Sequence, residues 1–266
     1  MLRRLDAELV HRKLARSREH AQQLIGRGCV ELNGVVATKP ATQAREGASI
    51  RVRESEDDRF VSRGAHKLIG ALDRFQPRGL VVAGRDAMDA GASTGGFTQV
   101  LLERGANRVA AVDVGYGVLA WPVRTDPRVH VFERMNVRHI SAGDLPFTPE
   151  LIVADLSFIS LRTVLDALAG VAAPNADLVL MVKPQFEVGR ASIGDGVVRE
   201  PALRARAVHD VADAMQALGF GVQGIVASPL PGPSGNVEYF VWATRGVELD
   251  HDLSTRIAAA VSEGPQ

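Results

Sequence analysis

The sequence predicts an α/β protein: a large domain on a mostly parallel sheet, with a small α+β unit in front of it. Three observations predict this. From residue 87 onward, strand-sized apolar runs alternate with helical stretches. The first run passes into a helix through a glycine-rich loop, DAGASTGGFT at 89–98, the usual entry of an open sheet. Ahead of residue 57, two short helical patterns precede an Asn33-Gly34 hairpin signal. The expected boundaries are 1–56 for the small unit, 57–63 for a linker and 64–266 for the large domain.

Composition narrows the function classes. With 46% hydrophobic and 23% charged residues, the 266-residue chain has ample core for both parts. Thirty-one basic residues balance thirty-one acidic ones, so any contact with nucleic acid must come from local patches. Cys29 is the single cysteine, which excludes an internal disulfide framework or a zinc site of several thiolates and fits a reducing compartment. No apolar run approaches the roughly 20 residues of a membrane helix. Charges interrupt MLRRLDAELVHRK too often for a signal peptide, and the default compartment is the cytoplasm.

In the small unit, LDAELVHRKLA offers Asp6 as an N-cap and Leu5, Leu9 and Leu14 as an apolar stripe, which predicts a short helix. Ser17 reads as the cap of a second helix, SREHAQQLI, ended by Gly26 and Gly28. CVELNGVV then forms two short strands around Asn33-Gly34, and SIRV a last one. Arg3, Arg4, Arg12, Lys13, Arg16, Arg18 and Arg27 face only Asp6, Glu8 and Glu19 in the first 28 residues. That excess is either a solvated set of helix faces or a phosphate-contacting surface.

The acidic stretch ESEDDRFVS, 54–62, suits a linker. SRGAHKLIGALDRF turns helical, with Leu68, Leu72 and Phe75 on one face and Lys67 just off it. Strands are expected at 87–90, 108–112, 129–132, 151–154, 178–182, 222–227 and 237–243. The tail LDHDLSTRIAAAVSEG is weakly amphipathic and reads as a packing helix.

Ligand signals fall at the ends of three consecutive strands. The glycine loop lacks the lysine of a triphosphate-binding P-loop. Its order, with Asp89 ahead of Gly91 and the next glycines at Gly95 and Gly96, departs from a dinucleotide fingerprint. A carboxylate at that strand end suits an ammonium group better than a pyrophosphate. Asp113, ending the next strand, can accept from both hydroxyls of a ribose, and Asn136, after the third, can read an adenine edge. Asp89, Gly91, Ala92, Ser93, Gly95, Gly96, Phe97, Asp113 and Asn136 together describe a site for an adenosine with an amino-acid tail, S-adenosyl-L-methionine. NAD, and a ligand-free turn, stay as alternatives.

A methyl donor needs an acceptor and a base. Asp155 follows the fourth strand, Lys183 the fifth, and Glu238 opens the last one after the rigid loop SPLPGPSGN. Lys183, at the end of an apolar strand and near a second lysine such as Lys67, has a partly desolvated setting in which a neutral amine can act as a general base. Taken singly, Asp155 reads equally as a helix cap, Lys183 as a surface lysine and Glu238 as an ion-pair partner. Phe158, beside Asp155, is either a stacking platform for a base or a core residue. No cluster has metal-ligand spacing, so no metal is expected.

These stretches carry resemblances. Two small helices followed by G-x-V-x-x-N-G, a Lys-Pro and a final strand resemble the S4-type RNA-binding module, the alpha-L motif. The resemblance implies that Arg3, Arg4, Arg16, Arg18 and Lys39 lie near RNA. Lys67 in SRGAHKL, Asp155 in ADLSF, Lys183 in VKPQF and Glu238 in NVEYF match the Lys-Asp-Lys-Glu tetrad of FtsJ-like RNA 2'-O-methyltransferases. Together with DAGASTGGFT, DVGYG and SPLPGPSGNVEYF, the chain resembles the TlyA family of ribosomal-RNA methyltransferases, also described as hemolysins. The resemblance implies a Rossmann-like class I methyltransferase domain, Asp155 beside the donor as well as in the tetrad, and 2'-O-methylation of cytidine in 23S and, in many members, 16S rRNA. The expected partners are rRNA or ribosomal subunits, with no membrane. Competing readings are a base N-methyltransferase, from the likeness of Asp155-Leu-Ser-Phe158 to an Asp-Pro-Pro-aromatic motif, and a membrane-active hemolysin.

Overall fold

A computed structural model describes residues 2–15, 17–53, 59–189, 195–248 and 252–264; Arg16 and most of the acidic linker lie outside the described residues. Contacts divide the chain into two compact units, Met1–Phe60 and Val61–Gln266.

In the first unit, strand β1 (Leu2–Arg4) runs into helix α1 (Leu5–His11), followed by α2 (Arg18–Gly26), β2 (Val30–Leu32), β3 (Val35–Val36), β4 (Gln43–Arg45) and β5 (Ile50–Val52). Leu5, Leu9, Leu24, Ile25 and Val30 form its core. Asn33 and Gly34 both take positive φ, 52° and 81°, the primed hairpin turn that lets β2 and β3 pair. Ser17 Oγ accepts from His20 N at 3.1 Å and so starts α2. Asp6 does not cap α1, which is a correction: Arg4 holds the cap position, and Asp6 sits inside the first turn, fully buried. Antiparallel β1 and β4 form a second small sheet that nothing in LRR or QAR signals.

The second unit opens with α3 (Gly64–Phe75). A seven-stranded sheet is built from β6 (Asp86–Ala90), β7 (Arg108–Val112), β8 (Val129–Phe132), β9 (Leu151–Ala154), β10 (Asp177–Val182), β11 (Phe220–Ala227) and β12 (Tyr239–Arg245). Helices α4 (Gly96–Glu103), α5 (Trp121–Arg124), α6 (Leu165–Val171), α7 (Pro184–Glu187), α8 (Pro201–Ala217) and α9 (Leu253–Glu263) lie between and after the strands. The order across the sheet is β11-β12-β10-β9-β6-β7-β8. Strands β6 to β10 run parallel, and β12 is antiparallel to both its neighbours. All six residues of β10 are buried, as expected of a strand covered on both faces.

Two features of this order position the site. The chain winds outward from β6 through β7 to β8, then returns to place β9 on the other side of β6, so a topological switch point lies between β6 and β9. Because β12 is reversed, its first residue Tyr239 pairs with Val182, the last of β10. The approach to β12 therefore meets the exit from β10. Leu253, Ile257, Ala260 and Val261 of α9 are buried on one face, which makes the tail a packing helix. Among the described residues no helix is long and apolar enough to cross a membrane.

Candidate active site

Asp155 follows β9, Lys183 follows β10, and Glu238 immediately precedes β12, so all three gather at the carboxyl edge of the sheet. Lys67 joins them from the first turns of α3. Two ion pairs result. Lys183 Nζ lies 2.6 Å from Asp155 Oδ1 and donates to Ser157 Oγ at 2.8 Å. Lys67 Nζ donates to Glu238 Oε2 at 2.5 Å. Each lysine meets a carboxylate of its own. Lys67, Lys183 and Glu238 are buried, while the Asp155 side chain is a quarter exposed. Charges so far from water need such partners.

Close packing holds these groups in place. A methyl on Gly232, in the proline-rich loop, would come within 2.6 Å of Glu238 Oε1, so any larger residue there would have to displace the carboxylate. A methyl on Gly70 would meet Pro229 Cγ at 2.6 Å, which is how α3 and the same loop fit together. Gly232, Gly70, Ser157 and Glu187 were not singled out in the sequence. The neighbours of Gly70, Ser157 and Glu187 in space are remote in the chain, while Gly232 packs on Glu238 only six residues on, and no spacing rule finds any of these contacts.

The glycine loop turns its glycines toward the protein. A Cβ on Gly91 would meet the Asp155 carbonyl oxygen at 2.7 Å, one on Gly95 the Leu119 Cδ1 at 2.9 Å, and one on Gly96 would overlap Ser62 Oγ. Gly91 and Gly95 also take positive φ, 85° and 97°. Gly91 N and Ala92 N donate to the Val112 carbonyl, Ser93 N to Asp113 Oδ2, and Gly95 N to the Ala92 carbonyl. With these amides spent internally, the loop is poorly equipped for a pyrophosphate. The Phe97 side chain is core, its ring 6.0 Å from that of Phe240, so the expectation of a donor contact is reduced to its backbone.

Asp89 is fully buried in β6, and Thr98 Oγ1 donates to its Oδ2 at 2.6 Å while Oδ1 has no partner. Burial pushes its carboxyl up to about 7, with the Thr98 hydrogen bond opposing and the nearby Asp155 charge adding. Asp113 accepts from Ser93 N and from Gly115 N at 2.7 Å, and lines a crevice walled by Ala92, Val118, Leu119 and Phe132. Asn136 is exposed outside that lining, and its Oδ1 caps the next turn by accepting from Arg138 N at 3.0 Å. The crevice wall at this strand end is Phe132 and Glu133 instead.

Phe158 is 92% exposed, which removes the core-packing alternative. Its φ is +64°, a left-handed conformation costing a bulky residue about 1–3 kcal/mol. The ring leans on Phe186 at 5.4 Å.

In the first unit the basic excess is partly matched internally. The buried Asp6 carboxylate accepts from Arg4 at 3.0 Å, from Arg18 at 3.1 Å and from Gln22 at 3.2 Å. The Arg4 bond above all holds it well below the usual carboxylate range. Glu8 pairs with Arg12 at 2.7 Å and Arg3 at 2.9 Å. The side chains of Arg3, Arg4 and Arg18 nonetheless remain 37%, 45% and 60% exposed, and Lys39 is exposed too. The arginines are thus ordered by carboxylates beneath them while their outer faces stay open.

Compared with known families, residues 60–245 match the FtsJ-like methyltransferases and residues 3–50 the S4 domain. The chain is 54% identical to the 16S/23S rRNA (cytidine-2'-O)-methyltransferase TlyA of Mycobacterium tuberculosis, over 98% of each chain. It is 35% identical to Hemolysin A of Brachyspira hyodysenteriae, over 89% of this chain and 97% of that one. A solved structure of a provisionally named hemolysin from Streptococcus thermophilus superposes with a TM-score of 0.77 at 36% identity, covering 98% of this chain and 95% of the other.

Proposed function

Because the chain belongs to the TlyA family of FtsJ-like methyltransferases, we propose that it transfers a methyl group from S-adenosylmethionine to the ribose 2'-hydroxyl of cytidine in 23S and 16S rRNA. The observation that carries this is the pair of buried lysine–carboxylate contacts at the carboxyl edge of the sheet.

The residues fit the donor. The unpartnered Oδ1 of Asp89 is suited to an ammonium group, and the apolar walls beside Asp113 suit a flat heterocycle joined to a ribose. Each Asp113 oxygen can still accept a second hydrogen bond. Asn136, outside the crevice lining and with its Oδ1 turned to Arg138 N, has only its Nδ2 left for an adenine edge, and Gly91, Ala92, Ser93, Gly95 and Gly96 shape the loop between. Bound S-adenosylmethionine supplies an electrophilic methyl on a sulfonium that leaves as a neutral thioether.

Lys183 is the base. Its Nζ donates to Ser157 Oγ and lies 2.6 Å from Asp155 Oδ1, and these two contacts hold it at the sheet edge, where in its unprotonated form it can take the proton of the ribose hydroxyl. As the hydroxyl oxygen bonds to the methyl carbon and the carbon–sulfur bond breaks, the hydroxyl proton passes to Lys183. Lys67, held by Glu238, places its ammonium against the charge that develops on the oxygen. Phe158 stacks on the base of the target nucleotide once it leaves its helix, offsetting the few kcal/mol of unstacking. Arg3, Arg4, Arg18 and Lys39 hold rRNA phosphates and so set position.

The test offers labelled S-adenosylmethionine to each purified ribosomal subunit and to naked rRNA. Wild type should label a nucleotide that resists alkaline cleavage, and Lys183→Ala should lose about 10²–10⁴ of the rate. Label on an exocyclic amine, or a fully active Lys183→Ala enzyme, overturns the reading.

A further inference from the structure

Glu187 is buried four residues beyond Lys183, and none of the chemistry above uses it. Its Oε2 accepts from Ser160 Oγ at 2.5 Å and its Oε1 from Leu161 N at 2.7 Å. Arg162 closes the knot, with Nε 3.5 Å from Oε2 and Nη2 donating to the Glu187 carbonyl at 3.2 Å. The segment after β10 and the segment after β9 are thus joined at three successive points. Lys183 meets Asp155 and Ser157, Phe186 meets Phe158, and Glu187 meets Ser160 and Leu161.

Phe158 lies in the middle of this ladder. An exposed ring gains nothing from burial, and its left-handed backbone is disfavoured, so the fixed points on either side must impose its conformation. On one side the fixed point is the Asp155–Ser157 contact with Lys183. On the other it is the buried carboxylate of Glu187.

We propose that Glu187 is a positioning residue for the nucleotide: by anchoring Ser160 and Leu161 it holds the Phe158 ring outward beside the Lys183–Asp155 pair. This rests on the ribose-methylation reading. Substrate capture then depends on a carboxylate that never touches the RNA. Gln at 187 keeps the size but replaces one accepting oxygen with a donor and removes the charge facing Arg162.

The experiment is a double-mutant cycle on the full chain, with Glu187→Gln, Phe158→Ala and their combination. It reads equilibrium affinity for the purified large subunit, steady-state KM and kcat, donor affinity and Tm. Glu187→Gln should weaken subunit affinity and raise its KM about tenfold, leave donor affinity within twofold, and add less than twofold once Phe158 is Ala. Ser160→Ala, which removes one tie and leaves the carboxylate buried, should give a smaller effect of the same kind. Multiplicative effects of the two substitutions overturn the proposal, as does a wild-type-like Glu187→Gln or a loss of donor affinity in step with Tm. Should Glu187→Gln fail to fold, the Ser160→Ala and Phe158→Ala cycle decides on the same criteria. Affinity is read independently of chemistry, so label found on a base amine would sink the ribose reading while leaving the coupling of 187 to 158 measurable.

Discussion

Asp89 carries the plainest pH dependence. Its carboxyl titrates at about 7 in the folded protein and near the ordinary ~3.9 when unfolded. Between those values the folded state holds the extra proton, so stability is favoured below pH ~4 and falls as pH rises toward ~7. Donor binding runs the other way, because an ammonium group needs the ionised carboxylate. Affinity for S-adenosylmethionine, measured by calorimetry, should rise up to about tenfold per pH unit from roughly 5.5 to 7, and Asp89→Asn should flatten the profile. A flat wild-type profile would remove the ammonium from Asp89. At this scale the sequence showed which residues sit at strand ends, because apolar runs stop at Asp113, Asp155 and Lys183. It did not show which contact each makes. Ser157 on Lys183 and Thr98 on Asp89 follow from side-chain directions that only packing decides.

At the level of elements, glycine separates two cases. Gly70→Ala drives a methyl into the rigid ring of Pro229 and should cost about 1–3 kcal/mol, offset by at most ~1 kcal/mol of helix propensity. A Tm several degrees lower, with reduced kcat because α3 carries Lys67, is the expected result. Gly26→Ala, at the exposed end of α2 with nothing within 4 Å of the new methyl, should be neutral or slightly stabilising. Equal Tm changes would mean that the Pro229 contact yields freely. The parallel strands were legible as buried apolar runs bounded by turns. The last strand, expected at 237–243, begins later, because Asn236 ties its approach to the Gly196 and Val198 backbone and pairing with β10 starts at Tyr239. Strands β1 and β4 were invisible, since a three-residue segment with two polar or charged residues forms a strand only when a partner is supplied.

For the molecule as a whole, two separate cores predict two transitions. The first unit, with few fully buried apolar side chains, is of a size that is marginal alone. Scanning calorimetry should show a smaller, earlier transition of about 40 kcal/mol and a larger one of about 140 kcal/mol, from about 0.7 kcal/mol per residue. The donor should raise only the second. A single two-state transition would mean that the units unfold as one. Fold class and division into two parts were legible because hydrophobic period changes along the chain, from the hairpin ahead of residue 57 to alternating strands and helices after 87. The insertion of β12 was not, because nothing local says that the last strand enters the interior of a sheet and not its edge. That placement bears on timing. Until the ribosome has made residues 239–245, β11 has no neighbour to pair with, and Lys67 waits for a carboxylate 171 residues downstream. An enzyme that methylates ribosomal RNA therefore lacks its Lys67–Glu238 pair for nearly the whole of its own translation, until the last strand of the sheet is in place.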